Sequence, residues 1–153
     1  MGVPEILDAL GGDWTGTSTL WLPWLSPPER ESPSTATVER AVGGKFVSLG
    51  YTWEYEGAAQ EGLLLLGRAR SGEVTAAWAD SWHMSDKIMY CTGSAGEDGA
   101  ISLLGSYEAP PGPDWGWKTE IRTTDGGFEI VMHNISPEGE ESIAFRNTYQ
   151  RPG

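Results

Sequence analysis

Asp80 is the residue with the most chemistry to offer. It stands between Trp78 and Trp82 in the run Glu73 to Trp82, where alternation puts Val74, Ala76, Trp78, Asp80 and Trp82 on one side. A carboxylate on an apolar side is costly unless it is paired. It could hold a ligand's donor or cation, act as an acid/base of raised pKa, or form an ion pair with an inward arginine. Arg40, on the parity of Val38 and Val42, and Arg68, on that of Leu64 and Leu66, are the available partners. The ion pair is the favoured reading, because structural ion pairs also perturb such groups.

Other chemical signatures are sparse. Asp80-Ser81-Trp82-His83 holds triad residue types, but neighbours on a strand point to opposite sides, so Asp80 and Ser81 do not converge. His83 and His133 both take the outward parity. The single cysteine, Cys91, has no histidine or lysine on its strand to activate it and reads as packed. It permits no intrachain disulfide and no cysteine-based zinc site. Nucleotide-binding, hydrolase and metalloprotease fingerprints are missing. No catalytic or metal-binding residue is therefore assigned.

The elements that must position these residues are strands. Glycine supplies 21 of 153 residues and proline 10, which disfavours long helices. One short helix is expected over Pro4 to Leu10, closed by Gly11-Gly12. About ten strand-like runs follow: 13–24, 34–42, 45–56, 62–70, 73–82, 87–94, 100–108, 115–124, 128–135 and 141–150, with a Pro/Ser/Glu-rich loop from Leu25 to Pro33. Turns such as Gly43-Gly44, Asp98-Gly99 and Asp125-Gly126-Gly127 are short enough to force antiparallel neighbours. Lys45 to Glu56 alternates cleanly, with Val47, Leu49, Tyr51, Trp53 and Tyr55 on its dry side. Residues 1–153 thus read as one all-β domain, a closed antiparallel up-and-down barrel of about ten strands with a short N-terminal helix. A barrel of that size begins to enclose a cavity.

The charge sum of −12 disfavours nucleic-acid and anionic-membrane partners. No apolar run approaches the length of a span, and the first residues lack a basic leader, so a cytoplasmic protein is expected. Trp21, on the outward parity of Thr15, Thr17 and Thr19, suggests an apolar contact and a possible homodimer.

The run Gly12-Asp13-Trp14-Thr15-Gly16 resembles the opening of calycins, and Pro23 extends the likeness to nitrobindins. Most of the chain is similar to a bacterial family catalogued as domain of unknown function fifteen seventy-nine. The matching stretches are "ILDALGGDWTG", "VGGKFVSLGYTWEYEG", "EGLLLLGRARSGEVTAAWADSWHMSDKIMYCTGS" and "NTYQR". The resemblance implies a lipocalin-like barrel and pairs Trp14 with Arg151 as a cation–π plug at one end. Nitrobindins hold haem through a histidine that would fall among Ala144 to Tyr149, where none stands. Haem bound in that way is not expected, a Tyr149 ligand is a remote option, and no cofactor is assigned.

The leading expectation is a non-enzymatic protein that holds a small hydrophobic or aromatic molecule inside the barrel. Tyr51, Trp53, Trp78, Asp80, Trp82, Tyr107, Trp117 and Met132 are the expected lining, and Arg40 and Asp80 orient the guest's polar end. Two alternatives stand beside it: a calycin-shaped isomerase or cyclase using Asp80 as acid/base, and a solid structural or interaction barrel.

Overall fold

The computed structural model describes residues 3–153. A five-residue helix, α1 (Glu5–Ala9), precedes ten strands: β1 (Gly12–Trp21), β2 (Glu29–Ala41), β3 (Phe46–Tyr55), β4 (Ala58–Arg68), β5 (Val74–Asp80), β6 (Met89–Ala95), β7 (Ile101–Tyr107), β8 (Trp115–Thr124), β9 (Gly127–Ile135) and β10 (Glu141–Gln150). Each strand pairs antiparallel with the next, and β10 returns to β1 to close the barrel. Tight turns favour this order, and closure gives every strand a neighbour on both sides.

One end of the barrel is sealed. The Ile6, Leu7 and Leu10 side chains bury themselves there, and Trp14 donates its indole N–H to the Leu10 carbonyl at 2.8 Å. Across the Trp14 ring lies the Arg151 guanidinium, 3.8 Å from the ring centroid, which is the plug the calycin resemblance implies. A Cβ on Gly12, where φ is +112°, would come within 2.8 Å of that guanidinium. Glycine supplies both the space and the backbone conformation.

The strand boundaries differ from the sequence reading mainly at β2, which starts at Glu29 and takes in Pro33. Over residues 29–35 this strand pairs with β1 alone, because the β2–β3 ladder starts at Ala36. Pro33 therefore stands on a local edge, where a missing N–H is tolerated. A second gap lies between β6 and β7. Their ladder covers only Thr92–Ala95 against Ile101–Leu104. Toward the unsealed end the two strands splay apart.

Candidate functional site

The splay of β6 and β7 opens a cavity of about 740 Å³ at the barrel mouth. Trp78, Trp82, Tyr107 and Trp117 give it aromatic walls, with Met89, Ser106 and Asn134 between them. Lys87 and Glu108, paired at 3.4 Å, stand at its rim. A second hollow of about 330 Å³ lies toward β1, β8 and β10, lined by Leu20, Leu22, Trp115 and Ala144 among others. The Trp82, His83, Tyr107, Trp117 and Asn134 side chains border both spaces.

Asp80 faces inward, but its partners are not arginines. Tyr51, Gly62 and Asp80 are in register on β3, β4 and β5. A Cβ on Gly62 would lie 2.0 Å from the Tyr51 ring, so the missing side chain lets the phenol cross β4. The Tyr51 hydroxyl then donates to Asp80 Oδ2 at 2.7 Å and accepts from the Trp78 indole N–H at 2.9 Å. Trp53 Nε1 donates to the same carboxylate oxygen at 3.3 Å. Oδ1 accepts from the backbone N–H groups of Trp82 and His83, each at 2.9 Å. A carboxylate has about four acceptor positions, and all are engaged. Burial pushes the Asp80 pKa up, but His83 and Tyr51 outweigh it and hold the group below its ordinary value. Burial, reinforced by the Asp80 charge, pushes the Tyr51 phenol well up, so it remains a donor.

This bonding corrects the expected ion pair. Arg40 is exposed at the sealed end, where it pairs with Asp8 of α1 at 2.7 Å. Its side chain sits half in solvent, because a long cation at a strand end escapes the core that alternation assigns to it. It therefore cannot orient a guest in the mouth. Arg68 donates to the Val3 carbonyl at 3.2 Å, also at the sealed end.

The second correction is His83. Strand alternation stops at Asp80, where β5 ends, so parity no longer determines where His83 points. The two backbone N–H bonds to Asp80 Oδ1 form an Asx-type turn, and the chain doubles back. The imidazole is only 8% exposed. It lies 4.8 to 5.7 Å from the rings of Phe145, Trp82, Trp53, Trp78 and Trp117. Nδ1 approaches Asp80 Oδ1 at 3.1 Å but off the hydrogen-bonding direction, and neither ring nitrogen has an aligned partner. The Asp80-Ser81-Trp82-His83 run carried the signal for this, as a turn-forming aspartate rather than a triad.

The other expected residues divide by position. Trp78, Trp82, Tyr107 and Trp117 border the mouth cavity, and the Tyr107 hydroxyl donates to Asn134 Oδ1. Tyr51, Trp53 and Asp80 form the bonded layer beneath it. Met132 is wholly buried in the core and borders neither hollow. His133 lies on the outer face, half-buried beside Lys118. Burial pushes the Cys91 thiol up to about 11, which leaves it unreactive at neutral pH. Trp21 is half-covered and lies under the Arg146 guanidinium, 5.9 Å from its ring centroid, so it is less open than the expected apolar contact.

Haem does not fit as the nitrobindin likeness would require. The Ala144–Tyr149 stretch of β10 has no histidine. His83 packs among five aromatic rings with both ring nitrogens buried, on the loop after β5 rather than on β10. The Tyr149 phenol is buried and bonded to Ser34 Oγ at 2.8 Å.

Comparison with known proteins agrees with this architecture. Residues 4–151 match the family described as "Protein of unknown function (DUF1579)". The chain belongs to that family. Among solved structures it is similar to Rv2717c from M. tuberculosis, with a TM-score of 0.67 and 16% identity over 100% of both chains. At that identity the likeness supports a shared fold alone. No curated protein matches the chain.

Proposed function

We propose that this protein of the DUF1579 family binds a small hydrophobic or aromatic molecule in the mouth of its barrel and does no chemistry on it. The observation that carries this reading is the mouth cavity itself. Its volume of about 740 Å³ falls in the roughly 300–1,000 Å³ range of small-molecule sites. Indole and phenol rings form its walls, which suits a flat apolar guest. The open mouth argues against a solid structural barrel. The isomerase or cyclase reading needs a free Asp80, and that carboxylate has no unused acceptor. A cytoplasmic setting accords with the one buried, unpaired cysteine. The chain has no described helix long and apolar enough to cross a membrane.

Nile red, a neutral apolar dye, tests the proposal. It is expected to bind with a blue-shifted, enhanced emission and to quench tryptophan fluorescence. Trp82→Ala, which opens the rim, should weaken binding about tenfold, the equivalent of ~1.4 kcal/mol. Native mass spectrometry of protein from its own host should then show a co-purified mass. Absence of dye binding, or binding unaffected by Trp82→Ala, overturns the reading.

A further inference from the structure

The outside of the barrel is unevenly charged. β8 and β9 turn Lys118, Glu120, Arg122 and Glu129 to the outer face. Across β4 to β7 the outward positions within residues 63–67, 75–79, 90–94 and 102–106 are Leu, Ala, Tyr, Thr, Ser and Gly. None is charged, in a chain whose net charge is −12. Six large apolar side chains are left exposed among the described residues, and Leu63, Ile88, Tyr90 and Leu104 belong to this stretch. Single exposed apolar residues are ordinary, but a contiguous uncharged group of them marks a contact surface.

The shape of the face follows from its register. Leu65, Ala77 and Tyr90 stand side by side on β4, β5 and β6. Leu63 stands beside Ala79 in the same way, and Leu104 of β7 beside Thr92 of β6. With only Thr75, Ala77 and Ala79 pointing outward, β5 is a shallow trough. Leu63 and Leu65 make a ridge on one side of it, and Tyr90 rises on the other. The β4 and β6 ridges are ~9.6 Å apart at ~4.8 Å per strand, room for one row of side chains between them.

A ridge beside a trough fits its own copy. A two-fold axis lays the ridge of each chain in the trough of the other, the isologous arrangement of most dimers. Charge selects the same partner. Two bodies of −12 repel wherever carboxylates face each other, and this face has none. Four strands by about six residues span roughly 19 by 20 Å, or about 400 Å² per copy. That is the low end for a specific contact, which implies a weak, reversible association.

We propose that two copies of this chain associate through the outer face of β4 to β7, with Leu63, Leu65 and Tyr90 of each against Ala77 and Ala79 of the other. The contact lies away from Trp21, which Arg146 overlies. Ile88 and Tyr90 also border the mouth cavity, so the partner stands beside the flank where β6 and β7 splay. No guest is needed for this association, so it stands or falls separately from binding in the mouth.

Sedimentation velocity of the full chain, from about 1 μM to about 1 mM, tests the proposal. The sedimentation coefficient should climb from the monomer toward the dimer value over that range. Raising NaCl from about 0.05 to about 0.5 M should strengthen the dimer, because screening relieves the repulsion between the copies while the apolar contact is unaffected. Ala77→Glu, which puts a carboxylate in the trough, should weaken association at least about tenfold. If Ala77→Glu does not fold by far-ultraviolet circular dichroism, Tyr90→Lys at a 68% exposed position reads the same effect. Trp24→Glu, exposed but outside this face, should leave it unchanged. A chain that stays monomeric to 1 mM overturns the proposal, including one that instead floats with phosphatidylcholine vesicles, which would give the face to lipid. A dimer that salt weakens, that Ala77→Glu and Tyr90→Lys leave intact, or that Trp24→Glu breaks overturns it equally.

Discussion

The two walls of the barrel treat buried polarity in opposite ways. On the β3–β5 side, Tyr51, Trp53, Trp78 and Asp80 bond to one another and to the 82–83 backbone until no donor or acceptor is left over. Across the interior, Ser18 Oγ, Thr119 Oγ1 and Trp117 Nε1 are buried without a hydrogen-bond partner among the described residues. The first wall has the more conspicuous residue, a buried aspartate, but its groups are already used up in holding the fold. A satisfied network rigidifies, whereas an unsatisfied one is a strain that folding alone does not favour. In this barrel the carboxylate belongs to the architecture, and the plain hydroxyls across from it have no comparable bonding.

The sharpest way to break that contrast is to remove Asp80. Asp80→Ala strands the Tyr51 hydroxyl, the Trp53 indole and two backbone N–H groups in a dry interior. Losing one side of a buried charged network costs about 3–5 kcal/mol, which chemical denaturation would read directly. The same carboxylate sets an acid limit. Its folded pKa is depressed, so its contribution is fully present above the unfolded value of about 3.9. That contribution is lost as pH falls through the folded pKa. Stability of the native chain should decline below pH about 4, and the decline should be shallower in Asp80→Asn. A small stability change in Asp80→Ala would mean that the β3–β5 wall is not the structural one.

Gly62→Ala probes the same wall more gently. The added methyl would sit 2.0 Å from Tyr51 Cζ and 2.2 Å from its hydroxyl oxygen. A free tyrosine would swing aside, but this one is tied at its tip to Asp80 and Trp78. Overpacking of this sort costs about 1–3 kcal/mol. Thermal unfolding of Gly62→Ala should fall in that range. Adding Tyr51→Phe should make the methyl easier to accommodate, because the released ring can move. Equal cost in both backgrounds would show that the phenol is not what crosses β4.

Much of the fold was legible in the sequence because period and turns are local. The strand alternation of Lys45 to Glu56, the glycine-rich turns and the G-x-W opening led to a closed ten-stranded barrel, and β8 and β10 begin and end where the pattern puts them. The site was less legible, for three physical reasons. Parity holds only inside a strand, and His83 lies three residues past the end of β5. Inward parity at a strand end does not bury a long cation, so Arg40 turned outward to Asp8. Short polar side chains on inner positions, such as Ser18 and Thr119, carry no mark of being unpartnered until the surrounding walls are known. Gly62 is a related case, since its role appears only when Tyr51 and Asp80 are seen in register on either side.

The smallest expected effect is also the most discriminating, because its sign is reversed. On the satisfied wall every removal destabilises. On the other wall, Thr119→Val replaces an orphaned hydroxyl with a methyl of nearly the same shape, at a position 1% exposed. No partner in the protein is abandoned, and a desolvation cost disappears. The variant should therefore be more stable than the parent by about 0.5–1 kcal/mol, measured by urea unfolding without ligand. A Thr119→Val chain that is less stable without ligand would show that the hydroxyl serves the fold, and the distinction between the two walls would be lost.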